Sequence, residues 1–250
     1  MKEVCIGEGG SVKDELTGAI KYDGFKKAGW LSEKKAKVVL KARKKIFHLF
    51  MDVMKPKRTE KVIDVGVAPV IGIAGAKTIT NNFFERLYPY TAQITATSIE
   101  DAKCLEQEFP GLKFVQTKPY TTPFSDGMFD VLFCNAVVEH TGTRKQQKKF
   151  IHEYCRVSKR FFFTTPNRWF PVEPHSALPL VHWLPPVLFR KVLKITGKEA
   201  LADENILNLL SARDFLGLFP KQAKVKLLRV KTMGFTSNLI VYGEWNENES

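Results

Sequence analysis

A short apolar run at residues 61–66 constrains the fold more than any other stretch of the sequence. It reads Lys-Val-Ile-Asp-Val-Gly, and such near-continuous apolarity is typical of a parallel strand covered on both faces. Asp64 interrupts the run, and Gly66 stands where the strand would pass into a loop. Ligands of open α/β sheets bind over the carboxyl ends of the strands, so the run predicts a ligand site beside Asp64 and Gly66. Read alone, the same two residues equally suit an ordinary turn.

The rest of the chain alternates predicted strands and helices. Strands are predicted at residues 61–66, 93–98, 113–117, 129–135 and 159–165, followed by an antiparallel pair at 223–230 and 237–245. Helices are predicted at residues 32–54 with Ser32 as N-cap, from Asn81 or Asn82 through Leu87, and at 145–157, with capping boxes at Ser98/Asp101 and Ser211/Asp214. This order predicts an α/β fold: a mostly parallel sheet with an antiparallel last strand and helices on both faces.

Composition limits the class of protein. With 250 residues and 44% apolar content, the chain can bury a sizeable core, and its length suits one α/β domain. The cysteines at positions 5, 104, 134 and 155 show no paired spacing, which indicates a reducing compartment. The first residues lack a secretory apolar core, and no apolar run approaches the roughly 18 residues that span a bilayer. We therefore expect a cytoplasmic protein, soluble or peripheral on the membrane.

The formal net charge of +13 is large for this size. It favours anionic partners such as nucleic acid, acidic lipid or phosphorylated glycan, but charge alone does not choose among them. A solvated lysine-rich surface explains the same charge equally well. The first predicted helix carries its lysines opposite its apolar stripe, which favours solvation over contact with phosphates or a membrane.

Several segments together resemble the class I S-adenosylmethionine-dependent methyltransferases of the type 11-like group. They are the first strand, residues 99–101 (Ile-Glu-Asp), the strand at 129–135 (Phe-Asp-Val-Leu-Phe-Cys-Asn), the pair Glu139-His140 and residues 161–167 (Phe-Phe-Phe-Thr-Thr-Pro-Asn). The resemblance extends from about the first strand to the last. It implies a Rossmann-like sheet, S-adenosylmethionine as cofactor and methyl transfer as the reaction.

The resemblance also implies where the cofactor binds. The expected residues follow the first, second and fourth strands: Asp64, Gly66, Ser98, Ile99, Glu100 and Asn135. At Asn135, which would face the sulfonium, an amide that caps the next turn is an equal alternative. We expect Glu100 to bind the ribose and Asp101 to cap a helix.

Four positions depart from the family pattern. Ala68 and Val70 replace glycines of the loop after the first strand, Ser98 replaces the carboxylate that usually binds the ribose, and Lys118 replaces an acid near the adenine. A backbone cradle for the methionine part of the cofactor therefore cannot be assumed from the sequence.

Residues 167–200 are too rich in proline for regular structure and too aromatic for a linker, which predicts a lid over the site. Methyl transfer to a hydroxyl requires alignment and removal of a proton. The candidate catalytic residues are His140, after the fourth strand, and Glu173 and His175 in the lid, because a histidine titrates near the working pH.

A helix is also expected within the lid. Leu188, Val192 and Ile195 share one face of it, and nearby cations accompany them. This pattern favours core packing, with an interfacial helix as the alternative.

Ubiquinone-biosynthesis O-methyltransferases are similar around Glu139-His140 and add a glutamate one helical turn earlier, where this chain has Ala136. Two adjacent ligands make a weak site unless Glu173 or His175 completes it. We therefore expect no metal.

We expect one methyltransferase domain over residues 1–250, with an N-terminal arm and helix at 1–57, a Rossmann-like core at 58–166 and 201–245, and the lid at 167–200. The expected reaction is O-methylation of a glycan or lipid-linked intermediate, with peripheral contact to an anionic membrane surface. The run from Thr165 to His175 also resembles a bacterial subgroup associated with surface-polysaccharide synthesis. The alternatives are an RNA methyltransferase, although no RNA-binding module is appended, and a degenerate methyltransferase fold that binds a partner without turnover.

Overall fold

The computed structural model describes residues 30–69 and 82–245, with side chains from residue 38 onward. The N-terminal arm, Val70 and Asn81 therefore lie outside the described residues. The helices are α1 (Trp30–Met54), α2 (Phe83–Leu87), α3 (Leu105–Glu108), α4 (Arg144–Arg156), α5 (Pro186–Ile195) and α6 (Ala212–Leu216). The strands are β1 (Val62–Val65), β2 (Ile94–Ser98), β3 (Lys113–Gln116), β4 (Phe129–Asn135), β5 (Ser158–Pro166), β6 (Ala223–Thr232) and β7 (Phe235–Trp245). Within these ranges, no helix has the length and apolarity needed to cross a membrane.

The seven strands form one sheet in the order β3-β2-β1-β4-β5-β7-β6. The first five pair in parallel, whereas β7 runs antiparallel to both β5 and β6. This confirms the α/β fold expected from the sequence. Because β1 lies between β2 and β4, the direction of chain crossover reverses there, and the crevice over these strand ends is where such sheets bind ligands.

Helices cover both faces of the sheet, as predicted. On one face, α1 and α2 pack against apolar side chains that include Phe133 of β4 and Phe162 of β5. On the other face, α4 and α6 pack against Phe161 and Phe163. Neighbouring residues of β5 therefore point to opposite layers, as the two-residue period of a strand requires.

The predicted capping residues had mixed outcomes. Ser211 and Asp214 form the expected capping box at the start of α6. The prediction for Ser32 was wrong, because α1 already begins at Trp30. A capping box at Thr143, with Gln146 as its partner, begins α4 and was missed in the sequence.

The capping box expected at Ser98 and Asp101 was also wrong. The next helix, α3, begins only at Leu105, and no side chain caps it. Ser98 Oγ instead accepts a hydrogen bond from the Glu100 N–H at 3.3 Å, and Asp101 accepts one from the Lys103 N–H at 2.9 Å. Both side chains stabilise local turns, which compete with helix starts for the same short polar residues.

Helix α5 packs through a different face from the one predicted. Phe189 and Leu193 are buried in a small separate cluster with residues of the segment 201–209. Leu188 and Ile195, which were expected in the core, are 46% and 85% exposed. The expectation of core packing was therefore wrong for these two side chains.

Phe50 connects α1 to the sheet. Its fully buried ring makes edge-to-face contacts with Phe84, Phe133 and Phe162 at centroid distances of 5.2, 5.3 and 5.5 Å. We expect Phe50→Ala to lower the free energy of unfolding by about 3–5 kcal/mol, because it removes these contacts and leaves a cavity. Urea denaturation measures the change, and Lys44→Ala on the exposed face of the same helix is the control, with an expected change within about 0.5 kcal/mol. Equal losses from both variants would contradict this account.

Candidate functional site

A cavity of about 80 Å³ lies over the carboxyl ends of β1 and β4. Backbone and side chains from β1, β4, α1 and α2 line it. Its polar lining residues are Arg43, Asp64, Asn82, Glu85 and Asn135, and Gly66 forms part of its wall. Three of the six residues predicted to bind a cofactor, Asp64, Gly66 and Asn135, are therefore brought together here.

Gly66 is required by geometry at the end of β1. Its φ of +87° is unfavourable for other residues, and an added Cβ would lie 2.3 Å from Val137 Cγ2. Its N–H donates to the Thr97 carbonyl at 2.8 Å. The close approach of Val137 brings the segment after β4 directly over the end of β1.

The Asn82 side chain forms two hydrogen bonds with the backbone of Ala68, in the loop after β1. It donates to the Ala68 carbonyl at 2.8 Å and accepts from the Ala68 N–H at 3.1 Å. The first departure from the family pattern is therefore accompanied by an internal partner for the backbone of Ala68.

Asp64 and Glu85 form a buried carboxyl pair inside the cavity. Burial, together with the charge of Glu85, raises the pKa of Asp64 well above its usual range, and burial also raises the pKa of Glu85. Within the described residues, the Glu85 carboxyl has only Asp64 and its own backbone N–H as hydrogen-bond partners. Two ionised carboxylates only accept hydrogen bonds, so a proton held between them satisfies the pair.

Arg43 supplies the positive charge of the cavity. Burial lowers the pKa of its guanidinium to about 10, so it remains charged at neutral pH. The sequence interpretation missed both Arg43 and Glu85, because they reach the cavity from α1 and α2 and their positions depend on tertiary packing. The available signal for Glu85 was an acidic residue directly after the apolar pair Phe83 and Phe84.

The other three predicted cofactor residues, Ser98, Ile99 and Glu100, follow β2 outside this cavity. Ser98 is buried, and the Ile99 carbonyl accepts a hydrogen bond from the Gln116 side chain at 2.9 Å. Parallel pairing of β1 with β2 aligns Val65 with Thr97, so the three residues lie at the same sheet edge, one strand away. Their role in binding a ribose stays a prediction.

A second polar cluster joins the end of β4 to the lid. Glu139 and His140 lie in a short 3-10 helix after β4, and Glu173 and His175 come from the lid. The rings of His140 and His175 meet edge to face with centroids 4.8 Å apart. The three predicted catalytic residues, His140, Glu173 and His175, are thus brought together.

Hydrogen bonds fix the charge and tautomer of this cluster. Burial would raise the pKa of Glu173, but hydrogen bonds from His175 and Ser176 outweigh it and lower the pKa to about 2. The ionised Glu173 lies 2.6 Å from His175 Nδ1, so that nitrogen carries a proton and donates a hydrogen bond to the carboxylate.

His140 has the same tautomer for a similar reason. Its Nδ1 lies 2.7 Å from the Ile206 carbonyl, which can only accept, so Nδ1 donates. One edge of the residue is exposed, yet protein atoms packed around the ring lower its pKa by desolvation, and nearby His175 lowers it further. His140 is therefore neutral near pH 7.

Glu139, His140 and His175 form a set of side chains that could ligate a metal, with ligand atoms within 4.8 Å of one another. Two ligands about 2.1 Å from one zinc ion lie only about 3.4 Å apart in tetrahedral geometry, so the set would have to contract. One Glu139 oxygen accepts from the Thr165 hydroxyl at 3.0 Å, and the other has no partner among the described residues. The expectation of no metal stays a prediction.

Comparisons with known proteins identify the fold and the domain. Residues 74–160 match the family of the methyltransferase domain. The match covers about a third of the chain. None of the curated proteins matches the sequence. The fold and the domain together indicate a class I methyltransferase with S-adenosylmethionine as its cofactor.

Solved structures share the fold at low sequence identity. A SAM-dependent methyltransferase from Methanosarcina mazei has a TM-score of 0.50 and 14% identity, covering 79% of this chain and 98% of its own. The YcgJ protein from Bacillus subtilis has a TM-score of 0.51 and 14% identity, covering 80% and 98%. The 1,6-didemethyltoxoflavin-N1-methyltransferase of Burkholderia thailandensis, with bound S-adenosylhomocysteine, has a TM-score of 0.53 and 10% identity, covering 87% and 81%.

The polar groups of the cavity over β1 and β4 complement the amino-acid end of this cofactor. That end carries one carboxylate and one ammonium group, and the cavity offers a guanidinium at Arg43 and carboxyls at Asp64 and Glu85. The buried Glu85 carboxyl, whose partners among the described residues are Asp64 and its own backbone N–H, can accept further hydrogen bonds from an ammonium group.

The carboxyl pair should make stability depend on pH. Because the folded pKa values are raised, the folded state binds more protons than the unfolded state above about pH 4, and stability falls as the pH rises through the raised values. Glu85→Gln removes one carboxyl and can donate to Asp64. We expect it to stabilise the protein by about 1–3 kcal/mol at pH 8, with a smaller gain near pH 4.5.

Chemical denaturation at the two pH values measures this difference. Asp52→Asn, at an exposed position of α1, is the control and should show no pH-dependent gain. A gain for Glu85→Gln that is equal at both pH values would contradict a shared proton in the folded state.

Proposed function

We propose that this protein is an O-methyltransferase that acts on a hydroxyl of a glycan or lipid-linked intermediate. The observation that carries the proposal is the contact of the Glu173–His175 pair with His140 at the carboxyl edge of the sheet. A hydroxyl acceptor must lose a proton during methyl transfer, and a neutral imidazole held by a carboxylate is suited to accept it.

The cavity and the histidine cluster are neighbours along two strands. Asn135 lines the cavity, and the Glu139-His140 pair follows four residues later. On the adjacent strand β5, Thr164 donates to Asn135 at 2.7 Å while Thr165 donates to Glu139 at 3.0 Å. A methyl donor in the cavity and an acceptor beside the histidines would thus share one sheet edge, which supports in-line transfer.

Each residue then has a defined task. Arg43 binds the carboxylate of the cofactor, Asp64 and Glu85 bind its ammonium group, and the segment from Ser98 to Glu100 binds its ribose. When bound, the cofactor supplies a methyl group on a positively charged sulfur. His175 accepts the acceptor's proton at Nε2, and Glu173 fixes the tautomer and stabilises the imidazolium that forms.

The lid and the overall charge support a glycan or lipid-linked acceptor. Trp169 and Trp183 present exposed indole rings 6.3 Å apart, which offer stacking surfaces for a sugar. The net charge of +13 favours a phosphate-bearing substrate. The resemblance of the lid sequence to the polysaccharide-associated subgroup agrees with a glycan or lipid-linked acceptor. Methylation of such an acceptor would place the protein in the cytoplasm, peripheral on the membrane face.

A degenerate methyltransferase fold that binds without turnover is the second candidate, and a specific observation favours it. The N–H groups of Gly66 and Ala68 already have internal acceptors in Thr97 and Asn82. They therefore cannot form a free cradle for the cofactor without rearrangement. RNA methylation ranks lower, because the sequence carries no recognisable RNA-binding module.

Cofactor titration separates these candidates. We expect S-adenosylmethionine and S-adenosylhomocysteine to bind in isothermal calorimetry, and Asp64→Ala and Arg43→Ala each to weaken binding about 10-fold or more, because each removes a charged hydrogen bond in a buried site. Lys44→Ala, one residue beyond Arg43 and exposed, should bind as the wild type does. Absence of binding to the wild-type protein would support the degenerate fold.

The proton-transfer role makes a separate prediction. His175→Ala should lower the methylation rate about 10²- to 10⁴-fold and leave cofactor affinity unchanged, since the imidazole contacts the acceptor rather than the cofactor. Release of S-adenosylhomocysteine, measured with a panel of soluble and lipid-linked glycans, gives the rate. His48→Ala, on the exposed face of α1, is the matched control. An unchanged rate would remove His175 from the mechanism, and loss of wild-type activity on adding a chelator would favour a metal at Glu139, His140 and His175.

A further inference from the structure

Exposed apolar side chains are concentrated in the lid. Of the twelve large hydrophobic residues that are exposed in the described part of the chain, eight lie between residues 169 and 195. Single exposed apolar residues are normal on soluble proteins, whereas a concentrated group marks an interaction surface. We call the group formed by Trp169, Trp183, Leu184, Val187, Leu188 and Ile195 the lid surface.

The outward face of α5 forms the centre of the lid surface. The helix already buries Phe189 and Leu193 toward the protein, so its core contacts are made by another face. Val187 remains 67% exposed and Ile195 85% exposed. These two residues are eight positions apart, which places them on the same side of the helix two turns from each other.

The lid carries more basic than acidic residues. Between residues 167 and 200 the acidic residues are Glu173, which is buried against His175, and the exposed Glu199, while five residues are basic: Arg168, Arg190, Lys191, Lys194 and Lys198. Arg190 has an ion-pair partner in Glu204 at 3.5 Å. Lys191 and Lys194 are exposed, and no described residue forms an ion pair with them.

Aromatic, aliphatic and cationic groups are thus exposed within one segment of the chain. Trp169 and Trp183 are 51% and 41% exposed, and the Arg168 guanidinium lies 5.6 Å from the Trp169 ring. Tryptophan is enriched at the headgroup level of membranes, aliphatic side chains insert just below it, and lysines contact acidic headgroups. Nucleic acid would use the cations but leaves aliphatic residues such as Val187 and Ile195 without a role.

We propose that the lid surface docks on a lipid bilayer that contains anionic headgroups. Val187, Leu188 and Ile195 enter the boundary between headgroups and acyl chains, and Lys191 and Lys194 contact lipid phosphates. The inner side of the same lid carries Glu173 and His175, so docking would hold these residues beside a lipid-linked acceptor. That consequence rests on the proposed function, whereas docking itself does not require methyl transfer.

Vesicle co-sedimentation tests the proposal without cofactor or acceptor. The probes are vesicles of phosphatidylcholine alone and vesicles with about a third phosphatidylglycerol. We expect the wild-type protein to sediment with the anionic vesicles, more weakly at high salt, and its tryptophan emission to shift to the blue on binding. Binding to neither kind of vesicle, or equal binding to both, would overturn the proposal.

Matched variants locate the surface. The double variant Lys191→Gln/Lys194→Gln should weaken binding about 10- to 30-fold, since each lysine near an anionic surface contributes a several-fold factor. Val187→Asp/Ile195→Asp should weaken it by at least as much. Met233→Asp, at a 90% exposed apolar position in the turn between β6 and β7, is the control and should bind like the wild type.

Two outcomes contradict the assignment even if the protein binds vesicles. An equal loss from Met233→Asp would mean that another surface or the net charge alone is responsible. Unchanged binding of Val187→Asp/Ile195→Asp would mean that no side chain of α5 is inserted. Thermal unfolding confirms that each variant is folded, and cofactor titration without vesicles tests the proposed function separately.

Discussion

The parallel pairing of β1 with both β2 and β4 determines most of what this molecule can do. It aligns Asp64 with Ala96 on one side and with Phe133 on the other, so three strands end together at one edge. Gly66 allows that edge to close, because only a residue without a side chain accepts Val137 at this distance. The segment after β4 then runs directly from the cavity to His140. A different register would separate the carboxyl pair in the cavity from the histidine cluster, since each lies within a few residues of these strand ends.

Asp64 and Glu85 show how binding and stability oppose each other in this fold. Two carboxyls buried side by side destabilise the folded chain at neutral pH unless they share a proton. Their pairing is explained if an ammonium group occupies the cavity, because it would offset the negative charge of the two carboxyls when they ionise. Arg43, which reaches the cavity from α1, adds the positive charge that would bind the carboxylate of an amino-acid zwitterion. Such arrangements of perturbed groups in a cleft are typical of functional sites, although structural networks also produce them.

The sequence was sufficient for the sheet but only for part of the site. Strands buried on both faces read as continuous apolar runs, and this signal located β1 and β4 within about a residue. Asp64, Gly66 and Asn135 could be predicted because strand ends carry ligand sites in this class of fold. Arg43 and Glu85 could not, because a helix gives no local indication of which strand end it will cover. The prediction of which face of α5 is buried was wrong for a related reason. Leu188, Val192 and Ile195 form one apolar stripe along the helix, and Phe189 and Leu193 form another. Periodicity alone does not decide which stripe packs against the core.

The lid joins two environments that a methyl transfer to a lipid-linked hydroxyl would have to connect. Its inner side carries Glu173, whose pKa is held low by hydrogen bonds from His175 and Ser176. Its outer side keeps apolar and cationic groups that no other described part of the chain covers. His182 links the two sides, because it is buried, its Nε2 lies 2.7 Å from the Phe170 carbonyl, and its ring contacts Phe189 of α5. A change in the position of α5 would therefore reach the segment before Glu173 through packed groups rather than through a flexible linker. Contact of the outer side with a membrane would then stabilise the lid in one position relative to the histidine cluster, and this is the physical reason to expect docking and acceptor selection to depend on the same segment.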